Sequence, residues 1–435
     1  MIGLLLCILV GILLLVWIYQ KKEISRILVF LLGYHFLFCA AFIYVSSGPM
    51  PSDAIGYFSS ASEEWRHKRH FMGQSIVWFT RQLISLGFRD YWQVSFVYAA
   101  LGFLGIAWTS EILFKYATTR GERRLATLIL FFPNIHFWSS GIGKDSLVVF
   151  TFGLIVISLT KSRFLPWLFS IILTTVVRPH FGITMAFASI ASTLLGRSSS
   201  SRKNFILTTT LLLLVGIFTI VGDNLMNIAS EQLQFLDERT SVMTLGALGH
   251  SFVGFPLIIR IFILTFYPLV IPSNPIIMIV VLENLVCLFM ILAIFRTILT
   301  RSIEPRILDD RVFIFSLSTF VILSIILGKA IYGVGLLIRQ EVILVLSLSI
   351  IYFILHANLK IRVFISSGNN KYPANTTAFL QSQGIQLKER PCYDKKSNAR
   401  NLQQHPVKYI TPKWIVNRVT IDMHRKKIRI YIKRR

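Results

Sequence analysis

The segment FFPNIHFWSSGIGKDSL, residues 131–147, sets Lys144 beside Asp145 between two apolar runs. A lysine after a glycine-rich turn invites anion chemistry. The nucleotide phosphate loop needs Gly-x-x-x-x-Gly-Lys followed by Ser or Thr. Here Trp138 stands at the first glycine and Asp145 at the hydroxyl residue, which excludes that motif. A phosphate without a nucleotide still fits. Gly141 and Gly143 allow tight turns and KDSL restarts a helix, so Lys144, free backbone N–H groups and the positive helix end could meet an anion at the outer membrane boundary. Asp145 would then orient Lys144 or act near the reacting group. The competing reading is a plain turn whose Lys–Asp pair snorkels to the interface.

Other ionisable residues fall on the same expected face. VVRPHF places Arg178 and His180 at a helix end, LLIRQEV places Arg339 and Glu341 just inside the last apolar run, and Arg260 interrupts FPLIIRIF. Charges beside hydrocarbon are expensive and usually face a polar cavity, so converging cations suggest an acidic ligand. Among carboxylates, Asp53 in PSDAIGYF could serve as general base for a hydroxyl. It could equally cap an interfacial helix. Glu63, Glu64 and RHKRH (66–70) read as a solvated charged face. Glu283 interrupts another apolar run, as a functional group or as the partner of a cation on a second helix. His136 reads as a satisfied core histidine. No His, Cys and Asp cluster has ligand spacing, so neither metal nor cofactor is expected, and Cys7, Cys39, Cys287 and Cys392 read as apolar fillers.

The elements that must position these residues are membrane spans. Of 435 residues, 54% are hydrophobic and only 15% charged, and the mean hydropathy is +0.65, values of a polytopic membrane protein. Apolar runs near the roughly 20 residues that cross a bilayer recur near 2–19, 27–46, 93–114, 125–140, 147–161, 164–178, 181–196, 205–222, 275–296, 312–329 and 336–356. The expected architecture is therefore an all-α bundle of about eleven transmembrane helices; a β-barrel would show short alternating strands instead. The first run lacks a preceding basic residue and a small-residue cleavage site, so it reads as a retained helix. Basic loops at 21–26, 115–124, 161–163, 196–204 and 296–306 fit the cytoplasmic side. That places the N-terminus outside, the C-terminus inside, and the 47–92 and 223–274 segments outside. Within them, 255–272 reads as a re-entrant or interfacial helix, and 74–88 as an amphipathic helix with residues 76, 77, 79, 83, 84 and 87 on its apolar face.

Formal charge is +25. Residues 358–435 form a second region, a basic cytoplasmic tail or small module, which carries most of that excess. It should be drawn to anionic membrane lipid, about 1 kcal/mol per Lys or Arg near the surface. No nucleic-acid-binding motif is present.

The stretches PSDAIGYFSSA, SIVWFTRQLISLGFRDYWQVSFVYAALGFLGI, FFPNIHFWSSGIGKDSL, VVRPHF and FPLIIRIFILTFYPLVIPSNP together resemble the bacterial polysaccharide polymerases of the Wzy and EpsG type, over about residues 45–345. The resemblance implies a bundle that joins oligosaccharide repeat units carried on undecaprenyl pyrophosphate, at the outer face of a bacterial inner membrane. A chain-length regulator is an expected partner. Lys144, Arg178, Arg260 and Arg339 would bind the pyrophosphate, and Asp53, Asp145 or His180 would take the acceptor proton. The family's arginine-rich outer loops are only partly matched, since the 223–274 segment offers just Arg239 and Arg260. A lipid-phosphosugar-dependent glycosyltransferase of the GT-C-like class and a flippase or transporter of lipid-linked sugars are the alternative readings. The transporter reading lacks the internal repeat common in that class.

Overall fold

The structure is a computed structural model. It describes residues 2–21, 23–48, 53–62, 71–196, 275–300, 307, 309–330, 334–366, 414–422 and 427–434. Expectations for the 205–222 run, the 255–272 segment, Glu63, Glu64, 66–70, Arg239 and Arg260 lie outside the described residues. Two compact units emerge, Met1–Ala357 and Asn358–Arg435.

The first unit is helical. It runs α1 (Ile2–Tyr19), α2 (Ser25–Ser46), α3 (Asp53–Ser62), α4 (Phe71–Ser85), α5 (Tyr91–Tyr116), α6 (Arg120–Leu130), α7 (Pro133–Ser139), α8 (Lys144–Lys161), α9 (Phe164–Val177) and α10 (Pro179–Leu195). After the undescribed stretch come α11 (Pro275–Thr300), α12 (Arg311–Ala330) and α13 (Val334–Ser366), whose residues up to Ala357 belong to this unit. Among the described residues four helices are long and apolar enough to cross a membrane: α1, α2, α5 and the Val280–Thr300 part of α11. The bent pair α7 and α8 makes a fifth if counted as one span. The chain is a helical, membrane-embedded protein. The apolar stretches of α9, α10, α12 and α13 are each shorter, 10–17 residues.

The 125–140 run, expected as one span, is two helices. α6 starts with a capping box in which Thr119 Oγ1 accepts the Glu122 N–H at 3.2 Å and Glu122 Oε2 accepts the Thr119 N–H at 3.0 Å. The helix stops at Leu130 because Pro133, with no N–H and a ring that blocks the preceding turn, can only begin a new helix. α7 then meets α8 at a bend of 111°. A second proline break follows. Pro179 is the first residue of α10, and it holds Arg178 extended, φ −145° and ψ 91°. The Arg178 N–H still donates to the Thr174 carbonyl at 2.7 Å, and its carbonyl accepts from the Gly182 N–H at 3.0 Å, so one residue closes α9 and opens α10.

α5 and α8 form the centre. A side chain on Gly105 would strike the Val149 carbonyl, and one on Gly153 the Gly105 backbone, which is how small residues let helices approach where lipid supplies no hydrophobic drive. Around this centre α1 presents Ile2, Leu5, Leu9, Leu13 and Val16 outward, as a lipid-facing helix must. α3 and α4 pack together within the segment expected outside. α4 covers 74–85 of the expected 74–88 helix and buries Ile76, Val77, Thr80 and Leu83 along one stripe. Arg81 reaches back to the Ser60 and Ala61 carbonyls, each at 3.4 Å, at the end of α3.

The second unit holds two strands, as the alternation within the tail sequence allows. β1 (Trp414–Asp422) and β2 (Lys427–Arg434) pair antiparallel, with Trp414 opposite Arg434, Asp422 opposite Lys427, and an irregularity between Val416 and Arg418. The alternation in KIRIYI is the signal of β2.

Candidate functional site

The two proline breaks and α13 bring three distant segments to one carboxylate. Asp145 is the second residue of α8 and is 6% exposed. Its Oδ1 accepts Arg178 Nη2 at 2.8 Å, and its Oδ2 accepts Arg339 Nε. Arg339 Nη1 also lies 3.6 Å from Asp53 Oδ2, at the first residue of α3. Lys144, half-buried and next in chain to Asp145, interacts electrostatically with Arg178, Arg339, Asp145 and Asp53. Five of the expected site residues therefore converge. Among the described residues, three cations against two carboxylates leave the cluster net positive.

Aromatic rings fix the guanidiniums. Arg339 lies over the Trp138 ring at 5.4 Å, and Arg178 over the Phe181 ring at 5.5 Å, contacts that gain about 0.5–2 kcal/mol as water is excluded. One donor is left over. Arg178 is 6% exposed, yet among the described residues its Nη1 has no hydrogen-bond partner. A buried cationic donor without an acceptor costs more than a made hydrogen bond returns, so this corner of the site is shaped for an anionic oxygen.

The two carboxylates differ. Both Asp145 oxygens are engaged by guanidiniums, which makes it the organiser of the cluster. The Asp53 side chain is 72% exposed and touches one guanidinium loosely, which leaves it open to a proton. α3 begins at Asp53, so the capping position suggested by its sequence is also its structural place.

The glycines act differently from the sequence reading. Neither Gly141 nor Gly143 lies in the left-handed region that favours glycine; Gly143 is extended, φ 171° and ψ 175°. Gly141 is required because a Cβ there would run into the Phe42 ring. At Gly143 an added Cβ would lie 3.7 Å from Arg339 Nη2, an ordinary van der Waals contact.

His180 occupies the first turn of α10, its ring 4.9 Å from that of Phe181. Glu283 pairs with backbone: its Oε1 accepts the Asn134 N–H at 3.0 Å, at the start of α7. Arg260 lies outside the described residues. Sequence reasoning missed Tyr57, Trp138 and Phe181. Tyr57 is buried and lies in the field of Asp53, Arg339, Arg178 and Asp145. Burial first, and the Asp53 carboxylate second, raise its phenol above the ordinary tyrosine value. Its position four residues after Asp53, one turn along the same helix face, was the available signal. No protein-family model, curated protein or solved structure matches the chain.

Proposed function

We propose that the chain polymerises oligosaccharide repeat units carried on undecaprenyl pyrophosphate, at the outer face of a bacterial inner membrane. The observation that supports this most is the buried, unpartnered Nη1 of Arg178 in a net cationic cluster. A pyrophosphate at membrane depth supplies the oxygens that such a corner lacks. In the proposed step an acceptor hydroxyl oxygen bonds to the donor's anomeric carbon, and the bond from that carbon to the lipid pyrophosphate breaks. The pyrophosphate leaves with the bonding pair. Arg178, Arg339 and Lys144 stabilise that charge as it develops, with Arg260 of the outer segment as a further ligand. Asp53 takes the hydroxyl proton, and His180 is the other candidate for that role. Asp145 holds the two guanidiniums in register. Tyr57 stays a phenol and donates to the leaving oxygens. The step calls for no cofactor.

The orientation that goes with this reading has about eleven spans, the N-terminus outside and the basic tail inside next to anionic lipid, with a chain-length regulator as partner. The test is the size distribution of surface glycans in a strain lacking the protein, complemented with wild type, Lys144→Ala, Arg178→Ala or Asp53→Ala at matched expression. Loss of long chains with single repeat units still reaching the surface is the expected result. Repeat units trapped inside would point to the transporter instead, and unchanged glycans would refute the site.

A further inference from the structure

Away from the anion site, two histidines meet inside the bundle. His35 on α2 and His136 on α7 are both fully buried, and their Nδ1 atoms lie 2.9 Å apart. His35 Nε2 faces the Ala99 carbonyl of α5 at 3.0 Å, and His136 Nε2 faces the Leu130 carbonyl at 2.6 Å. These three contacts need three hydrogens, because a carbonyl only accepts and the Nδ1 pair needs one donor. Two neutral imidazoles carry two. The shorter carbonyl contact claims one, on His136 Nε2. The other sits on His35 Nδ1 and is donated to His136 Nδ1. His35 Nε2 is then left with its lone pair aimed at the Ala99 oxygen, so two acceptors face each other.

We infer that the His35–His136 pair is a proton-binding site. A proton taken from solvent forms an N–H bond at His35 Nε2, which donates to the Ala99 carbonyl, and the two rings together hold one positive charge. A second proton is excluded, since it would leave two donors face to face at the Nδ1 contact. The rings around the pair suit a cation: Tyr34 lies 4.9 Å and Phe38 6.1 Å from the His136 ring, and Phe103 lies 6.1 Å from the His35 ring.

Among the titratable groups on the packed elements are Tyr34 and Cys39 on α2, Tyr98 on α5, Glu283 on α11, and Lys144 and Asp145 at the start of α8. Glu283 anchors the first turn of α7 through the Asn134 N–H. Lys144 opposes the bound proton. α7 leads through Ser140–Gly143 directly into Lys144 and Asp145, so the proton locks the segment that carries them against α2 and α5. If the anion site is as proposed above, proton and anion binding favour each other reciprocally; the proton site itself does not depend on that reading.

The test uses the full-length protein, labelled with nitrogen-15 histidine, in lipid nanodiscs without substrate. Nuclear magnetic resonance of the ring nitrogens is followed from about pH 8 to about pH 3, a window that extends beyond the ordinary histidine range. A nitrogen–nitrogen coupling across the shared hydrogen bond identifies the pair in the wild type, so no variant has to fold. The expected result is that coupling together with one step in which both rings respond to a single proton. His35→Gln should leave His136 without that step. Absence of the coupling, two independent steps, or two rings that stay neutral throughout would overturn the inference. None of these readouts involves glycan synthesis, so failure here and failure of the polymerase reading are separate results.

Discussion

Asp145 and Asp53 share one arginine but should respond oppositely to mutation. Asp145→Ala leaves two guanidiniums beside an empty space, and removing one member of a buried pair costs about 3–5 kcal/mol. Asp53 is exposed, so Asp53→Ala should shift stability by no more than about 0.5 kcal/mol while abolishing long glycans. Denaturation of the purified variants beside glycan gels checks both halves. Tyr57 gives a pH signature. Its phenol is raised in the folded chain, so the folded state keeps a proton that the unfolded state gives up. Stability is then lost as pH rises from about 10, the unfolded value, through the raised native value. Tyr57→Phe should remove that alkaline loss in stability measured against pH. The charged members of the site were legible because ionisable residues are scarce in apolar runs. Tyr57, Trp138 and Phe181 were hidden among aromatics that make up 13% of the chain, and only spatial proximity distinguishes them. His35 was hidden for another reason. Its partner comes from a helix about a hundred positions away.

At the scale of elements, hydropathy located the helices and left their breaks to proline. The Arg178-Pro179 break coincided with an expected boundary, whereas Pro133 fell inside an apolar run and divided it. Periodicity could not show this, because Phe131 and Phe132 are as apolar on either side of the break as within a span. The glycine turn was legible in place but not in cause. Since Gly141 is held by the Phe42 ring, Gly141→Val should displace the α7–α8 connection and destabilise the protein by about 1–3 kcal/mol, as overpacking does. Phe42→Ala added to it should recover part of that loss in the double variant, measured by denaturation. Recovery would identify packing, and not backbone conformation, as the reason for the glycine.

For the whole molecule, the exposed apolar face of α1 and the buried centre at α5 and α8 make a bundle that only lipid can solvate. The orientation expected from the basic loops predicts that a cysteine placed at Gly48 reacts with an impermeant maleimide in intact cells. One placed at Ser162, in the α8–α9 turn, should react only after permeabilisation. The tail was legible as basic, and its hairpin only as a faint alternation, because a two-stranded unit has little hydrophobic pattern to display. The wide spacing of the site along the chain also orders its birth. A ribosome adding roughly 5–20 residues per second makes Asp145 and Arg178 about 10–30 s before Arg339. During that interval the Asp145–Arg178 pair is electrically neutral and can enter the membrane without an uncompensated charge. Arg339 follows on α13, the last helix among the described residues, and turns the neutral pair into a cation, so the net positive cluster forms only after α13 is made.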